Sequence, residues 1–260
     1  MKIGFFDSGI GGTTVLYQAL KILPNEDYVY YADTAHVPYG EKTKSEIKNF
    51  MFEAIDFIVS QNTKAIVIAC NTGTSAAITD LRQKYNLPII GIEPAVKPAI
   101  QKSHQTGRRV LALATNFTLK EEKFNNLVTN LDNEHIVDGL ALPGLVEFAE
   151  KFQFQESVVM PYLVEQLEAF DLNCYETVVL GCTHFPLYKD ILRKLFPQHV
   201  DIIDGSVGTV NNLKRTLAEI KKIGEGSGKI TFYQSGIKLE DPEIVDRYIH
   251  LLDRMRSIDA

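Results

Sequence analysis

Two stretches of this 260-residue chain repeat one pattern, and they limit its fold more than any other feature. Ala65-Ile-Val-Ile-Ala-Cys70-Asn71-Thr72 and Thr177-Val-Val-Leu-Gly-Cys182-Thr183-His184 are each an aliphatic run ended by a cysteine and small polar residues. Unbroken aliphatic runs of this length read as strands buried on both faces, the signature of a parallel sheet covered by helices. The polar residues at each end suit the start of a following helix. The carboxyl ends of such strands are where open α/β sheets hold ligands. The chain has three cysteines, and two occupy this position. Cys70 and Cys182 are therefore expected to face each other across one small-molecule site.

The rest of the chain alternates strand and helix. A strand over 2–6 leads into the loop Asp7-Ser8-Gly9-Ile10-Gly11-Gly12 and a helix over 13–22. The loop does not fit the dinucleotide pattern G-x-G-x-x-G, and Asp7 would repel a phosphate. A carboxylate beside free helix-terminal N–H groups suits a ligand with both an ammonium and a carboxylate. A plain glycine-rich turn remains open. A strand over 28–32 ends in a loop offering the Tyr39 phenol and a free N–H at Gly40, with His36 read as a loop residue. Helices are expected over 45–61 and 73–85, with a strand over 88–92 between the second and Glu93-Pro94. That dipeptide and Lys97-Pro98 break the rhythm and mark a domain boundary.

The pattern then restarts. A strand over 109–114 ends in Thr115, and helices are expected over 119–131 and 157–169. The strand delivering Cys182 follows, then a strand over 201–205, a helix over 207–223, a flexible turn over 224–228, a strand over 229–234 and a helix over 242–256. The first strands of the two halves end at Asp7 and Thr115, and each half carries one cysteine further on. Two βα units of the same order imply two similar domains facing each other. The expected architecture is α/β: two similar three-layer domains with mostly parallel sheets and the site in the cleft between them. The domains span 1–97 with 207–260, and 98–206.

Composition closes off other classes. The net charge is −6 with no basic run longer than a pair, which argues against nucleic acid. No apolar run approaches the ~20 residues needed to span a membrane, and because Met1-Lys2-Ile3 leads straight into a strand, no leader is expected. Three cysteines without framework spacing point to free thiols in a reducing compartment. A cytoplasmic protein is expected, with no membrane and no nucleic acid as partner.

Four uses of the thiol pair compete. Both cysteines can be small core residues. Cys182 and His184 can both ligate zinc, but there is no second close-spaced pair, and no metal is expected. Cys182 with His184 as base is a nucleophile arrangement that leaves Cys70 idle. A thiol on each face of a carbon can take a proton from one side and return one on the other, inverting a stereocentre. Helix N-termini after each cysteine, with Asp7 and His184 nearby, would favour thiolate near pH 7. Asn71, Thr72 and Thr183 offer donors to steady a carbanion.

Phe6-Asp-Ser-Gly-Ile-Gly-Gly, Tyr31-Ala-Asp-Thr-Ala-His-Val-Pro-Tyr-Gly, Ala69-Cys-Asn-Thr and Leu180-Gly-Cys-Thr-His-Phe-Pro-Leu occur in this order and cover most of the chain. With these motifs the chain resembles the bacterial glutamate racemases of the cofactor-independent aspartate/glutamate racemase superfamily. The resemblance implies interconversion of L- and D-glutamate for peptidoglycan, with no metal and no pyridoxal phosphate. It implies that Cys70 and Cys182 are the acid/base pair, assisted by Asp7 and His184. It assigns substrate contacts to Asp7, Ser8, Tyr39, Gly40, Asn71, Thr72, Thr115, Thr183 and His184, and a supporting role to Glu147. Gly73 stands where the family has alanine, implying a looser helix start, and Phe117 stands where it has a small residue, beside Thr118. The expected assembly is a homodimer. An aspartate or broader amino-acid racemase, or a silent amino-acid-binding module, are the alternatives.

Overall fold

The computed structural model describes residues 1–132, 135–224 and 226–260. The flexible turn expected over 224–228 includes Glu225, which lies outside the described residues. The described residues form two sheets.

The first half runs β1 (Lys2–Asp7), α1 (Thr13–Ile22), β2 (Tyr28–Ala32), a 3₁₀ turn (Tyr39–Glu41), α2 (Lys44–Ser60), β3 (Thr63–Ile68), α3 (Asn71–Lys84) and β4 (Ile89–Gly91). The second runs α4 (Val96–Thr106), β5 (Arg109–Ala114), α5 (Asn116–Lys120), α6 (Glu122–Leu131), β6 (Val137–Ala141), α7 (Pro143–Glu150), α8 (Glu156–Leu167), β7 (Tyr175–Leu180), a 3₁₀ turn (Phe185–Tyr188), α9 (Lys189–Leu195) and β8 (Asp201–Asp204). The chain closes with α10 (Ser206–Glu219), β9 (Ile230–Gln234), β10 (Ile237–Lys238) and α11 (Pro242–Ile258).

One sheet has the order β10-β9-β2-β1-β3-β4 and the other β6-β5-β7-β8. Only the β9–β10 pairing is antiparallel among the described ladders. The block β2-β1-β3-β4 matches β6-β5-β7-β8 strand for strand. The match extends to detail. The register slips after the first residue of each central strand, at Lys2/Ile3 and at Arg109/Val110. Ala69 N–H donates to Phe6 O as Gly181 N–H donates to Leu113 O, and Asp33 N–H to Asp7 O as Leu142 N–H to Ala114 O. Cys70 and Cys182 are thus structural equivalents. The expected pairing of Asp7 with Thr115 is one residue off: the counterpart of Asp7 is Ala114, and Thr115 corresponds to Ser8.

β3 and β7 are buried at every residue, as their aliphatic runs require. Each Ile or Val so buried contributes about 1.5–3 kcal/mol. One buried cluster holds Phe5, Leu16 and Tyr28 of the first half, Leu111, Leu180 and Leu192 of the second, and Leu213 and Tyr248 of the closing segment.

Two helices depart from the sequence reading for physical reasons. Pro94 and Pro98 read as a domain boundary with no helix foreseen over them, and α4 starts at Val96. Pro98 sits in its first turn, where an N–H has no helical partner to lose. The single helix over 119–131 is two, because Thr115 caps α5 and Glu121 turns extended (φ −68°, ψ 136°) before α6.

Candidate active site

The carboxyl ends of β1, β3, β5 and β7 meet around one pocket, where open α/β sheets hold their ligands. Ser8, Tyr39, Gly40, Cys70, Thr72, Thr115, Glu147, Cys182, Thr183 and His184 form part of its wall. Asp7 and Asn71 are buried close behind.

Cys70 follows β3 and caps α3, its sulfur accepting a hydrogen bond from Gly73 N–H at 3.3 Å. The thiol lies 3.6 Å from Ser8 Oγ, which accepts from it. A methyl on Gly73 would stand 3.0 Å from Met51 Sδ, so this helix start is tightly packed and not loosened. Burial pushes the Cys70 thiol up to about 12, and the Asp7 charge adds to this; the bonds from Gly73 and to Ser8 offset only part. The expected thiolate is corrected here: desolvation outweighs the helix N-terminus.

Asp7 is fully buried. One carboxylate oxygen accepts from Gly9 N–H and the other from Thr183 Oγ1, both at 3.0 Å. Burial raises it to about 6, against the pull of His184, Gly9 and Thr183.

The second thiol has different company. Cys182 Sγ is 3.6 Å from His184 Nδ1, and His184 Nε2 is 2.7 Å from Glu150 Oε1. The same Glu150 oxygen accepts from Ile10 N–H of the glycine loop at 2.9 Å. Burial works against an imidazolium at His184, but its bonds to Cys182 and Glu150 and their charges outweigh it, and the ring is held well above its ordinary range. No α-helix starts directly after Cys182, contrary to expectation; a 3₁₀ turn begins at Phe185. The loop glycines answer to this pair. A Cβ on Gly9 would lie 1.9 Å from Glu150 Oε1, and one on Gly11 2.6 Å from His184 Nδ1.

The sequence motifs single out Glu147 and pass over Glu150. Glu147 does line the cavity, but its side chain is 57% exposed and faces Lys151 at 3.7 Å. The acid on His184 comes one helical step later. Leu145, Val146 and Ala149 form the buried side of α7, and position 150 falls four residues after Val146 on that side. That spacing is the signal by which the sequence marks Glu150.

Across the cleft, Thr72, Thr115 and Thr118 form a hydroxyl triangle with sides of 3.0, 3.3 and 3.1 Å. Phe117 packs instead against the cluster around Phe6 and Met51, leaving Thr118 buried in the triangle. Asn71 Oδ1 is buried without a hydrogen-bond partner, an acceptor held ready. The Tyr39 phenol is not free: it donates to Asp33 at 2.6 Å, leaving the Tyr39-Gly40 backbone to serve the cavity. His36 binds the same carboxylate at 2.9 Å and stacks on Phe50, a loop role as expected.

Residues 13–213 match the model of the Asp/Glu/hydantoin racemase family. The chain belongs to that family. The racemase, an isomerase, is 59% identical to glutamate racemase 2 of Bacillus subtilis over 253 residues, which are 97% of this chain and 96% of that one. Its structure resembles that of Francisella tularensis glutamate racemase in complex with D-glutamate, with TM-score 0.79 and 28% identity over 96% of this chain and 93% of that one. It equally resembles Escherichia coli glutamate racemase in complex with L-glutamate and the activator UDP-MurNAc-Ala, with TM-score 0.79 and 25% identity over 95% of each chain.

The Gly11 contact gives a first prediction for the racemase. Gly11→Ala drives a methyl into His184, and a displacement of about 1 Å costs on the order of 100-fold in rate. Circular dichroism should show the variant folded and its racemisation reduced by about that factor. A fully active variant would mean that the loop yields freely.

Proposed function

We propose that the racemase interconverts L- and D-glutamate by two-base proton transfer, without metal or pyridoxal phosphate, using Cys70 and Cys182 on opposite faces of the α-carbon. In this reading Cys70, partnered by Asp7, takes the proton of D-glutamate. Cys182, partnered by His184 and Glu150, takes that of L-glutamate. The observation that carries it is the pair of equivalent strand ends, each bringing one thiol to a shared cavity, with Asp7 and His184 buried at the same ends of the sheets. The resemblance to structures holding either enantiomer supports the same reading.

A thiol held near 12 is a strong base once ionised. The substrate ammonium brings the positive charge that the buried thiol and Asp7 lack, so binding itself favours proton loss. The unpartnered Asn71 oxygen is suited to that ammonium. The threonine triangle and the Gly40 and Ser8 groups are assigned to the carboxylates, and Thr183 joins Asp7 to the second half. The two domains, 1–97 with 207–260 and 98–206, hold the substrate between them. The product serves peptidoglycan synthesis in the cytoplasm, and the working unit is a homodimer, which light scattering tests.

The direct test is protein treated with chelator and free of aldimine absorbance, assayed by circular dichroism on both enantiomers in deuterated water. Racemisation with deuterium at the α-carbon is expected; dependence on added metal or pyridoxal phosphate overturns the reading. Substrate length gives a second check. Aspartate is one methylene shorter, which displaces its distal carboxylate by about an ångström and costs on the order of 100-fold. Comparable kcat/KM values for the two amino acids would favour a broader racemase.

A further inference from the structure

His184 and Glu150 are held by elements that lead away from the cavity, and both lead to one side chain on the closing helix. After His184 the chain makes its 3₁₀ turn, with Leu187 N–H donating to His184 O at 3.2 Å. Leu187's own carbonyl is taken by Arg254 Nε at 2.7 Å. The same guanidinium grips Asp190, at the start of α9, through Nη2 at 2.8 and 3.0 Å. After Glu150 the chain runs to Phe154, and Arg254 lies 5.0 Å from that ring. Phe154 contacts Tyr188 with ring centres 5.6 Å apart, and Tyr188 OH donates to Gln153 O at 3.1 Å. Arg254 thus touches the segment after His184 and the segment after Glu150 at once. Its own helix is fixed by buried Tyr248, Leu251, Leu252 and Met255, and its side chain is 21% exposed. These hydrogen bonds and the ring contact all lie on the Cys182 half of the molecule.

We infer that Arg254 is a positioning residue for the Cys182 half of the site alone, setting the His184–Glu150 pair from the closing helix. The inference rests on the two-base reading. A guanidinium is suited to this task because its planar fork fixes a carbonyl and a carboxylate together, which a lysine cannot do.

The test follows one half-reaction at a time. The substrates are the L- and D-forms of a glutamate analogue carrying chloride on its β-carbon. A thiolate takes the α-proton, the electron pair left on the α-carbon forms the Cα=Cβ bond, and chloride departs with the β-carbon's bonding pair. No opposite acid is needed. Chloride release from each form is measured for the full-length wild type, Arg254→Met, Asp190→Asn and, as a control, Arg247→Met. Arg247 sits on the same helix but lies over Phe152, 5.8 Å away. Urea midpoints are taken on the same preparations.

Wild type should process both forms; failure with either overturns the two-base reading itself, before any variant is considered. Arg254→Met, which keeps its stem on Phe154, should lose on the order of 10- to 100-fold on the L-form while the D-form stays close to wild type. Asp190→Asn should show a smaller loss of the same sign, and Arg247→Met none. Equal losses on both forms, with or without a lower urea midpoint, overturn the inference, as does no loss at all. If Arg254→Met does not fold, Asp190→Asn decides by the same split.

Discussion

Cys70→Ser is expected to abolish racemisation while keeping chloride elimination from the L-form of the β-chloro analogue, and Cys182→Ser to abolish it while keeping elimination from the D-form. The sequence pairs the two cysteines by pattern, and the fold sets them on equivalent strand ends around one cavity. Serine nearly preserves the shape, but its hydroxyl ionises far less readily than a thiol. Loss of one acid/base group costs on the order of 10²–10⁴, and racemisation needs both groups in every turnover. Elimination needs only the one that faces the α-proton. An enzyme with a single working cysteine behaves otherwise, with one variant dead and the other near wild type. Two variants that each process both forms equally would overturn the facing-thiol arrangement.

Asp7→Asn should lower kcat/KM on the order of 10²–10⁴ and yet stabilise the protein in mild alkali. Asp7 titrates near 6 in the fold, raised from 3.8 by burial. Its folded form therefore binds a proton more tightly than its unfolded form. The stability this gives is complete below about pH 4 and is lost as pH rises through about 6. At pH 8 the buried charge costs about 3 kcal/mol net, after the bonds from Gly9 and Thr183 and the pull of His184 have offset part of its desolvation. Urea unfolding should thus show Asp7→Asn gaining on wild type as the pH rises from about 5 to 8 and losing the advantage near pH 4. For the wild type, kcat/KM reports the free enzyme, so it should fall below about pH 6 as Asp7 takes up its proton. A variant less stable than wild type at pH 8 would mean that Asp7's hydrogen bonds outweigh its desolvation.

What the sequence reveals divides along physical lines. The cysteine strands are legible because burial on both faces leaves an uninterrupted aliphatic run, and β3 and β7 are buried throughout. The glycine loop is legible as a close approach, but not what approaches it, since Glu150 lies 140 positions from Ile10. Glu147 draws attention through its motif, while helical spacing along α7 sets Glu150 on His184. Pro98 conceals α4 because a proline in a first turn and a proline in a linker look alike in sequence. Thiol basicity is misjudged because a helix start is visible in sequence and desolvation is not; in the fold desolvation is the larger effect at Cys70. The Tyr39 phenol looks available because its partner Asp33 is a neighbour in the same loop, whose folding turns the two together.

The matching strand blocks carry unlike chemistry: a serine hydroxyl is bonded to one thiol, and an imidazole paired with a carboxylate lies beside the other. Water cannot tell one enantiomer from its mirror image, so the two have equal free energy and an equilibrium constant of unity. The ratio of kcat/KM in the two directions must equal that constant, whatever the protein supplies. However different the two sides are, neither direction can be favoured at low substrate concentration. The difference is confined to kcat and KM moving together, one compensating the other. Damage to a single side must slow both directions by the same factor in kcat/KM. A chain built on a doubled unit was therefore free to let its two copies drift apart in chemistry without ever becoming a one-way catalyst.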